Sequence, residues 1–96
     1  MKEQGYQKKI TKFLEDNGAY VVKVIAANRK GIPDILACYK GYFIGIEVKV
    51  PEKMGNTTKL QDYNIKKIRE AGGYAFVASD TKVLEGILRE VDYAKQ

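Results

Sequence analysis

Residues 31–49 have the sequence GIPDILACYKGYFIGIEVK, and this stretch decides the expected fold. Two apolar runs flank a Lys-Gly pair that suits a tight turn, which predicts a β-hairpin. In that hairpin Asp34 lies opposite Glu47, at the end far from the turn. Lys49 comes two residues after Glu47, and alternate residues of a strand point to the same face. The sequence therefore predicts that two carboxylates and one ammonium group meet at one end of an apolar sheet.

These charges need partners, because a charge inside apolar strands is paired, binds a metal or changes its pKa. Two neighbouring carboxylates attract a cation, and a hard divalent ion such as Mg²⁺ takes oxygen ligands while keeping several waters. We therefore expect a Mg²⁺ or Mn²⁺ site at Asp34 and Glu47. The alternative is a simple salt bridge, in which Asp34 is only a turn residue after Pro33.

The composition is that of a small globular protein. The chain has 96 residues, 45% hydrophobic and 30% charged, so we expect a single domain over residues 1–96 with one modest core. The absence of histidine excludes a histidine-based zinc site and a histidine general base. No apolar run has the length of a transmembrane helix and the N-terminus has no apolar signal segment, so we expect no membrane partner and a cytoplasmic location. The single cysteine, Cys38, falls in mid-strand, where we expect it to be buried.

The net charge of +5 favours an anionic partner, and DNA is the first candidate. Arg29 and Lys30 immediately precede the acidic site, where they would hold phosphates beside the carboxylates. Lys53 lies in the loop after the hairpin, and Lys59 lies at the start of the following helix, so we expect both to contact DNA as well. A solvated basic surface is the alternative for all four side chains.

The remaining pattern predicts an α/β fold in the order α-β-β-β-α-β-α, with a central mixed sheet flanked by helices. The helices are expected at 3–17, at 58–71 and from the cap at 79 or 80 to about 93, and the strands at 20–26, 34–39, 42–50 and 74–78. The loop at 51–57 shows no period, and we expect it to be mobile and close to the substrate. Ser79 or Asp80 is expected to cap the last helix.

Glu3 and Gln61 have two interpretations each. Glu3 falls in the apolar stripe of the first helix, one turn before Tyr6. It either interacts with the helix dipole in water or reaches over the acidic end of the sheet. Gln61 is the third residue after Thr58, which is the spacing of a capping box. It either closes that cap or points toward the acidic site.

These residues carry a resemblance to a known family. A PD pair followed by an E-x-K triplet resembles the PD-(D/E)XK nuclease signature. The longer motifs GIPDI at 31–35 and IGIEVK at 44–49, followed by Gln61, resemble the VRR-NUC branch of that superfamily. The resemblance extends over residues 3–78 and implies a restriction-endonuclease-like core with the same order of elements.

The resemblance implies a metal-dependent endonuclease that hydrolyses DNA phosphodiester bonds with Mg²⁺ or Mn²⁺. The metal ligands that it implies are Asp34, Glu47, the backbone carbonyl of Val48 and, through a water molecule, Glu3. Lys49 would orient the attacking water and favour hydroxide, because its ammonium group is a compact charge. Gln61 would position Lys49 or the phosphate.

Small stand-alone VRR-NUC domains resemble Holliday junction resolvases of the kind found in phages and mobile elements. We therefore expect a homodimer that prefers branched DNA such as a four-way junction, because a two-fold dimer supplies two equivalent sites. Tyr39, Tyr42, Tyr63 and the apolar stripe of the last helix would contribute to the interface, unless they belong to the core. The alternative function is a basic α/β module that binds nucleic acid without cutting it, which leaves Asp34 and Glu47 unexplained.

Overall fold

The computed structural model describes residues 1–96 and has the predicted order of elements, with one short helix added. The elements are α1 Glu3–Asp16, β1 Tyr20–Lys23, β2 Ile35–Tyr39, β3 Tyr42–Val48, the 3-10 helix Pro51–Lys53, α2 Lys59–Glu70, β4 Tyr74–Ala78 and α3 Lys82–Ala94. The strands form one mixed sheet flanked by the three α-helices. None of the helices has the length and apolar character that crossing a membrane requires.

The sheet has the strand order β1-β2-β3-β4, with antiparallel pairing up to β3 and parallel pairing of β3 with β4. The turn between β2 and β3 is the predicted one, since Lys40 has a φ of 51° and Gly41 a φ of 87°. Positive φ at both central residues is the conformation of a two-residue hairpin turn whose twist matches that of the strands. The Lys-Gly pair therefore fixes how the two strands meet.

The hairpin register brings the two acidic residues together. Ile35 of β2 lies opposite Ile46 of β3, so the next pair outward is Asp34 with Glu47. From the other side, the Val24 N–H donates to the Asp34 carbonyl oxygen at 2.8 Å. The backbone at this end of the sheet is thus held by both neighbouring strands.

One face of the sheet forms the hydrophobic core with α1 and α3. Alternate residues of β3, namely Ile44, Ile46 and Val48, point to this face and are fully buried. The core comprises Ile10, Leu14, Ile35, Ala37, Tyr39, Ile44, Ile46, Val48, Phe76, Ala78, Leu84, Leu88 and Val91. Because Tyr39 and the α3 residues Leu84, Leu88 and Val91 belong to this core, they are not accessible to a dimer interface, whereas Val83 of the same helix is 42% exposed.

The other face of the sheet is covered only in part. On this face α2 packs against β3 and β4, and Ile65 is buried there. Gly45 allows the close approach, because a Cβ atom there would lie 3.0 Å from Ile68 Cδ1 and 3.2 Å from Pro33 Cγ. The side chains of β1 and of part of β2 stay accessible on this face, since α2 does not reach across them.

Cys38 is exposed, so the prediction that it is buried was wrong. It lies on the part of the sheet that α2 leaves open, between Tyr20 of β1 and Phe43 of β3 in the register. A mid-strand residue is buried only where a second layer covers the sheet, and the strand pattern does not indicate how far α2 reaches.

Three strands are shorter than the sequence predicted, although β2 differs only in beginning at Ile35 rather than at 34. β1 ends at Lys23 rather than at 26, and Ile25 beyond it is exposed and has no neighbouring strand to pair with. β3 ends at Val48 rather than at 50. The segment that follows contains the 3-10 helix Pro51–Lys53, where only a loop was expected, because Pro51 has the fixed φ that suits the first turn of a helix.

The last helix begins later than expected. Its first residue is Lys82, one or two residues later than a cap at Ser79 or Asp80 implies, and Thr81 occupies the N-cap position without a side-chain cap bond. The predicted cap by Ser79 or Asp80 was therefore wrong in position. Asp80 still satisfies one free donor of the first turn, since its Oδ1 accepts a hydrogen bond from the Lys82 N–H at 3.0 Å.

Candidate active site

The open end of the hairpin carries the two predicted carboxylates. Asp34 follows Pro33, which is fully buried and fixes the direction of the chain into β2. The Asp34 side chain is half-buried, and its Oδ2 accepts a hydrogen bond from the Val48 backbone N–H at 2.8 Å. This bond ties the aspartate to the end of β3, next to Glu47, so the protein itself holds the carboxylate in place.

Glu47 is the buried member of the pair, with 4% of its surface exposed. Burial, then the charge of Asp34 and a hydrogen bond with the Asp34 side chain, raise the pKa of Glu47 from 4.5 to about 8. Lys49 lowers this pKa and Glu3 raises it, so both lie within electrostatic reach of Glu47. A carboxyl pair of this kind holds either a proton or a cation near neutral pH.

Gln61 has both of the roles that the sequence left open. Its Oε1 accepts from the Thr58 N–H at 2.9 Å, and its own N–H donates to Thr58 Oγ1 at 3.1 Å, which completes a capping box. Its Nε2 donates to Glu47 Oε2 at 3.2 Å. The side-chain amide therefore connects the first turn of α2 directly to the buried carboxyl group.

Glu3 and Lys49 lie near the pair but make no side-chain hydrogen bond or ion pair with it. Glu3 is exposed at the first position of α1. Lys49 is half-buried just beyond β3, and its backbone N–H donates to the Ala78 carbonyl oxygen at 3.1 Å. The structure thus brings Asp34, Glu47 and Gln61 into contact and leaves the other two at the margin of the site.

The donor set fits a hard divalent ion. Asp34 and Glu47 would be the two direct side-chain ligands, because no third acidic, histidine or cysteine side chain joins them in a metal-binding group. Mg²⁺ is commonly held by one or two carboxylates and keeps several waters, which matches this pair.

A backbone ligand is also in a suitable position. The Val48 N–H points to Asp34, whereas the Lys49 N–H points to Ala78 at the end of β4. The N–H and C=O of one strand residue point the same way, so the Val48 carbonyl faces the Asp34 side, as a third oxygen ligand requires.

Asn64 supports the basic loop before the acidic pair, and it was not among the predicted residues. It is buried, and its Nδ2 donates to the carbonyl oxygens of Lys30 and Leu60, both at 2.9 Å. Gly31, with a φ of 81°, lies so close to this turn that a Cβ atom would be 2.6 Å from the Leu60 carbonyl carbon. The signal for Asn64 was its place beside Ile65 on the buried side of α2, where an amide needs partners.

The four predicted DNA-contacting residues are exposed, and none of them forms an ion pair. They are Arg29 and Lys30 on the loop before Asp34, Lys53 in the 3-10 helix and Lys59 at the start of α2. In contrast, Lys12, Lys40, Lys66 and Lys67 each have an acidic partner. The charges of these four side chains are therefore not neutralised by a neighbouring carboxylate.

A mixed sheet that presents an aspartate and a Glu-x-Lys motif at one end, with helices on both faces, is the arrangement of the PD-(D/E)XK nuclease class. More narrowly, the chain belongs to the archaeal Holliday junction resolvase (Hjc) family, whose sequence pattern matches residues 1–88. A solved VRR_NUC domain is similar over 91% of this chain and 94% of its own, with a TM-score of 0.70 and 28% identical residues. No curated protein matches the chain. The predicted fold and family resemblance are confirmed, and both comparisons indicate a nuclease.

Proposed function

We propose that the protein is a metal-dependent DNA endonuclease that cuts branched DNA, with the four-way junction as its preferred substrate and Mg²⁺ or Mn²⁺ as its metal. The observation that carries the proposal is the pairing of buried Glu47 with Asp34, because such a pair binds a proton or a cation near neutral pH. Membership of the resolvase family supports the junction as substrate.

Asp34, Glu47 and the Val48 carbonyl would hold the metal, and Glu3 would act through a water molecule. When bound, a divalent ion supplies Lewis acidity to a phosphate oxygen and lowers the pKa of water, as phosphodiester hydrolysis requires. The chain holds both carboxyl groups through its own donors, namely the Val48 N–H for Asp34 and Gln61 Nε2 for Glu47. Ligands that are oriented in advance need little rearrangement during the reaction.

Lys49 would orient the attacking water and favour its deprotonation. It follows Glu47 by two residues in the strand direction, and its positive charge lowers the pKa of that carboxyl group, so the charge lies within electrostatic reach of the site. An ammonium group offers three donors and a compact charge. The chain has no histidine for this task, which leaves Lys49 as the candidate for moving the proton.

The exposed basic residues around the site would hold the DNA backbone. Arg29 and Lys30 flank the carboxylates on one side, and Lys53 and Lys59 lie on the segment that leads into α2. Contacts of this kind fix position and orientation without selecting a base sequence. The protein would work inside the cell as a homodimer, since a four-way junction has two equivalent strands to cut and a two-fold dimer supplies two equivalent sites.

The test compares cleavage of an immobile four-way junction with cleavage of a linear duplex of the same arm sequence, in Mg²⁺, Mn²⁺ or chelator. We expect junction cleavage only with metal, and at least about tenfold faster than duplex cleavage, or about 1.4 kcal/mol in barrier. Asp34→Asn keeps an acceptor for the Val48 N–H and removes only the charge, so it should bind the junction without cutting it.

Two outcomes would contradict the proposal. Equal cleavage of the junction and the duplex would remove the substrate preference. Tight DNA binding without cleavage by the wild type in every metal would identify the non-catalytic basic module instead.

A further inference from the structure

The segment between β1 and β2 carries an exposed apolar stretch beside the acidic pair. Residues 24–30, termed the β1–β2 loop, include the sequence Ile-Ala-Ala at 25–27, and all three of these side chains are exposed. Ile25 is 94% exposed, the highest fraction among the large apolar residues of the chain. Isolated apolar residues are common on protein surfaces, whereas an exposed apolar run next to a polar site indicates a binding function.

Both ends of the β1–β2 loop are held by hydrogen bonds. At its start the Val24 N–H donates to the Asp34 carbonyl oxygen at 2.8 Å. At its end the Lys30 carbonyl oxygen accepts from Asn64 Nδ2 at 2.9 Å, and Asn64 is itself buried. Ile25 directly follows the first of these anchors, so the fold presents it from a fixed position at the acidic end of the sheet.

The apolar stretch lies close to Asp34. Lys23 is opposite Ile35 in the register, so Val24 is opposite Asp34 and Ile25 is the next residue. Neighbouring strands are about 4.8 Å apart. This spacing is shorter than two base steps of about 3.4 Å each along a DNA strand. A strand with a phosphate at the carboxylates therefore brings bases one or two steps away to Ile25.

Cations lie on both sides of the apolar stretch. Lys23 precedes it and Arg29 and Lys30 follow it, and all three are exposed and outside any ion pair. Residues 24–28 between them carry no charge. Proteins that open a stack of bases use this combination, in which an apolar wedge such as isoleucine enters the stack and cations hold the phosphates. The cations also disfavour a second copy of this chain as the occupant, since each copy has a net charge of +5.

We propose that Ile25 determines the preference for branched DNA, because its side chain inserts at the branch point and packs against the unstacked bases there. This inference rests on the proposed action on branched DNA. Insertion into a continuous duplex has to unstack a base step, which costs free energy, whereas the stack is already interrupted at a branch point. The same apolar contact therefore favours the junction over the duplex.

The first experiment measures binding in chelator, so that no cleavage is involved. Fluorescence anisotropy compares an immobile four-way junction with a linear duplex of the same arm sequence. Ile25→Ser should weaken junction binding about tenfold, or about 1.4 kcal/mol. Duplex binding should change by less than about twofold, because the cations that hold the phosphates are kept. Ile25→Leu should restore junction binding, since leucine is another apolar wedge.

The second experiment detects the insertion itself. A fluorescent adenine analogue at the branch point brightens when it is unstacked. The wild type and Ile25→Leu should increase its emission, and Ile25→Ser should not. Tyr93→Ser is the control, because Tyr93 is 77% exposed on α3 and its neighbour Asp92 pairs with Lys40 of the β2–β3 turn, at the far end of the sheet. This control should behave as the wild type in both experiments.

Two results of these experiments would overturn the proposal. The first is an Ile25→Ser protein that binds the junction as tightly as the wild type, or that weakens junction and duplex binding equally. The second is a wild type that leaves the emission of the analogue unchanged.

A change in the oligomeric state of DNA-free Ile25→Ser, measured by sedimentation, would place Ile25 in a protein contact and would also overturn the proposal. If the wild type cut no DNA with any metal but kept the binding preference that depends on Ile25, only the nuclease proposal would fail.

Discussion

Replacing Glu47 with glutamine should stabilise the metal-free protein, and the gain should increase as the pH rises toward 8. Glutamine has nearly the same size as glutamate, and its carbonyl oxygen can still accept the hydrogen bond from Gln61 Nε2. The substitution removes the charge that Glu47 acquires when it loses its proton beside Asp34. It therefore isolates the electrostatic cost of the acidic pair.

The direction of the effect follows from proton linkage. The pKa of Glu47 is raised from 4.5 to about 8 in the folded protein, so the folded state keeps this proton at a pH where the unfolded chain has lost it. The stabilising contribution is complete below about pH 4.5 and is lost as the pH rises to about 8. At about 1.36 kcal/mol per pH unit, the upper bound is roughly 4 to 5 kcal/mol. Relaxation of water and polar groups around the site lowers this figure, and we expect about 2 kcal/mol between pH 5 and pH 8.

The assay is urea unfolding in chelator at several pH values for the wild type and Glu47→Gln. Glu90→Gln is the control, because Glu90 is an exposed glutamate outside any ion pair. As the pH rises from 5 to 8, the free energy of unfolding should decrease more in the wild type and in the control than in Glu47→Gln. Adding Mn²⁺ at pH 8 should raise the Tm of the wild type by mass action and leave that of Glu47→Gln nearly unchanged.

Parallel pH profiles for the wild type and Glu47→Gln would refute this reasoning. They would mean that Glu47 is ionised in the folded protein at the same pH as in the unfolded chain. An equal rise in Tm with Mn²⁺ for both proteins would place the metal elsewhere.

Three further predictions concern the side chains around the pair. Lys49→Met should abolish junction cleavage while leaving Mn²⁺ affinity little changed, because Lys49 is not a ligand; calorimetry and a cleavage assay check this. Gln61→Ala should lower cleavage tenfold to a hundredfold, about 1.4 to 2.8 kcal/mol of barrier, and also destabilise the fold by about 1 kcal/mol. Thr58→Ala should show only the second effect, since it removes the cap but not the bond to the carboxyl group. Arg29→Ala and Lys30→Ala should each reduce the salt slope of DNA binding by about 0.9, measured by fluorescence anisotropy.

Each of these predictions has an outcome that contradicts it. Loss of Mn²⁺ binding in Lys49→Met with cleavage retained would reverse the role of the lysine. Identical cleavage by Thr58→Ala and Gln61→Ala would reduce Gln61 to its capping role. Lys9→Ala, an exposed lysine of α1, is the control for the salt slope, and an equal decrease there would show that the effect of Arg29 and Lys30 is only one of net charge.

The hairpin and the pairing of its acidic residues were predictable because they depend on local rules. A Lys-Gly pair at a two-residue turn fixes the register, and the register determines that Asp34 lies opposite Glu47. The extent of α2 across the sheet was not predictable in this way. This extent depends on tertiary packing and not on a local rule. Cys38 lies on a part of the sheet that α2 does not cover, so its exposure was missed.

The contacts that support the site were harder to predict than the carboxylates. Gln61 was given two alternative roles, yet its amide has an oxygen and a nitrogen, and each fills one role. Asn64 was missed because its partner on the basic loop, the Lys30 carbonyl, is 34 residues away in sequence. Single-residue patterns identify a polar group on a buried helix face, but only the tertiary structure shows what it binds.

Titration of the metal-free protein with Mn²⁺ by calorimetry tests the pairing of Asp34 with Glu47 most directly. Near pH 8 the wild type should bind Mn²⁺ and release protons, because metal binding requires Glu47 to lose its proton. Asp34→Asn and Glu47→Gln should each lose this binding, whereas Glu90→Gln should keep it. Mn²⁺ binding of unchanged affinity in both Asp34→Asn and Glu47→Gln would contradict a metal site at these two residues.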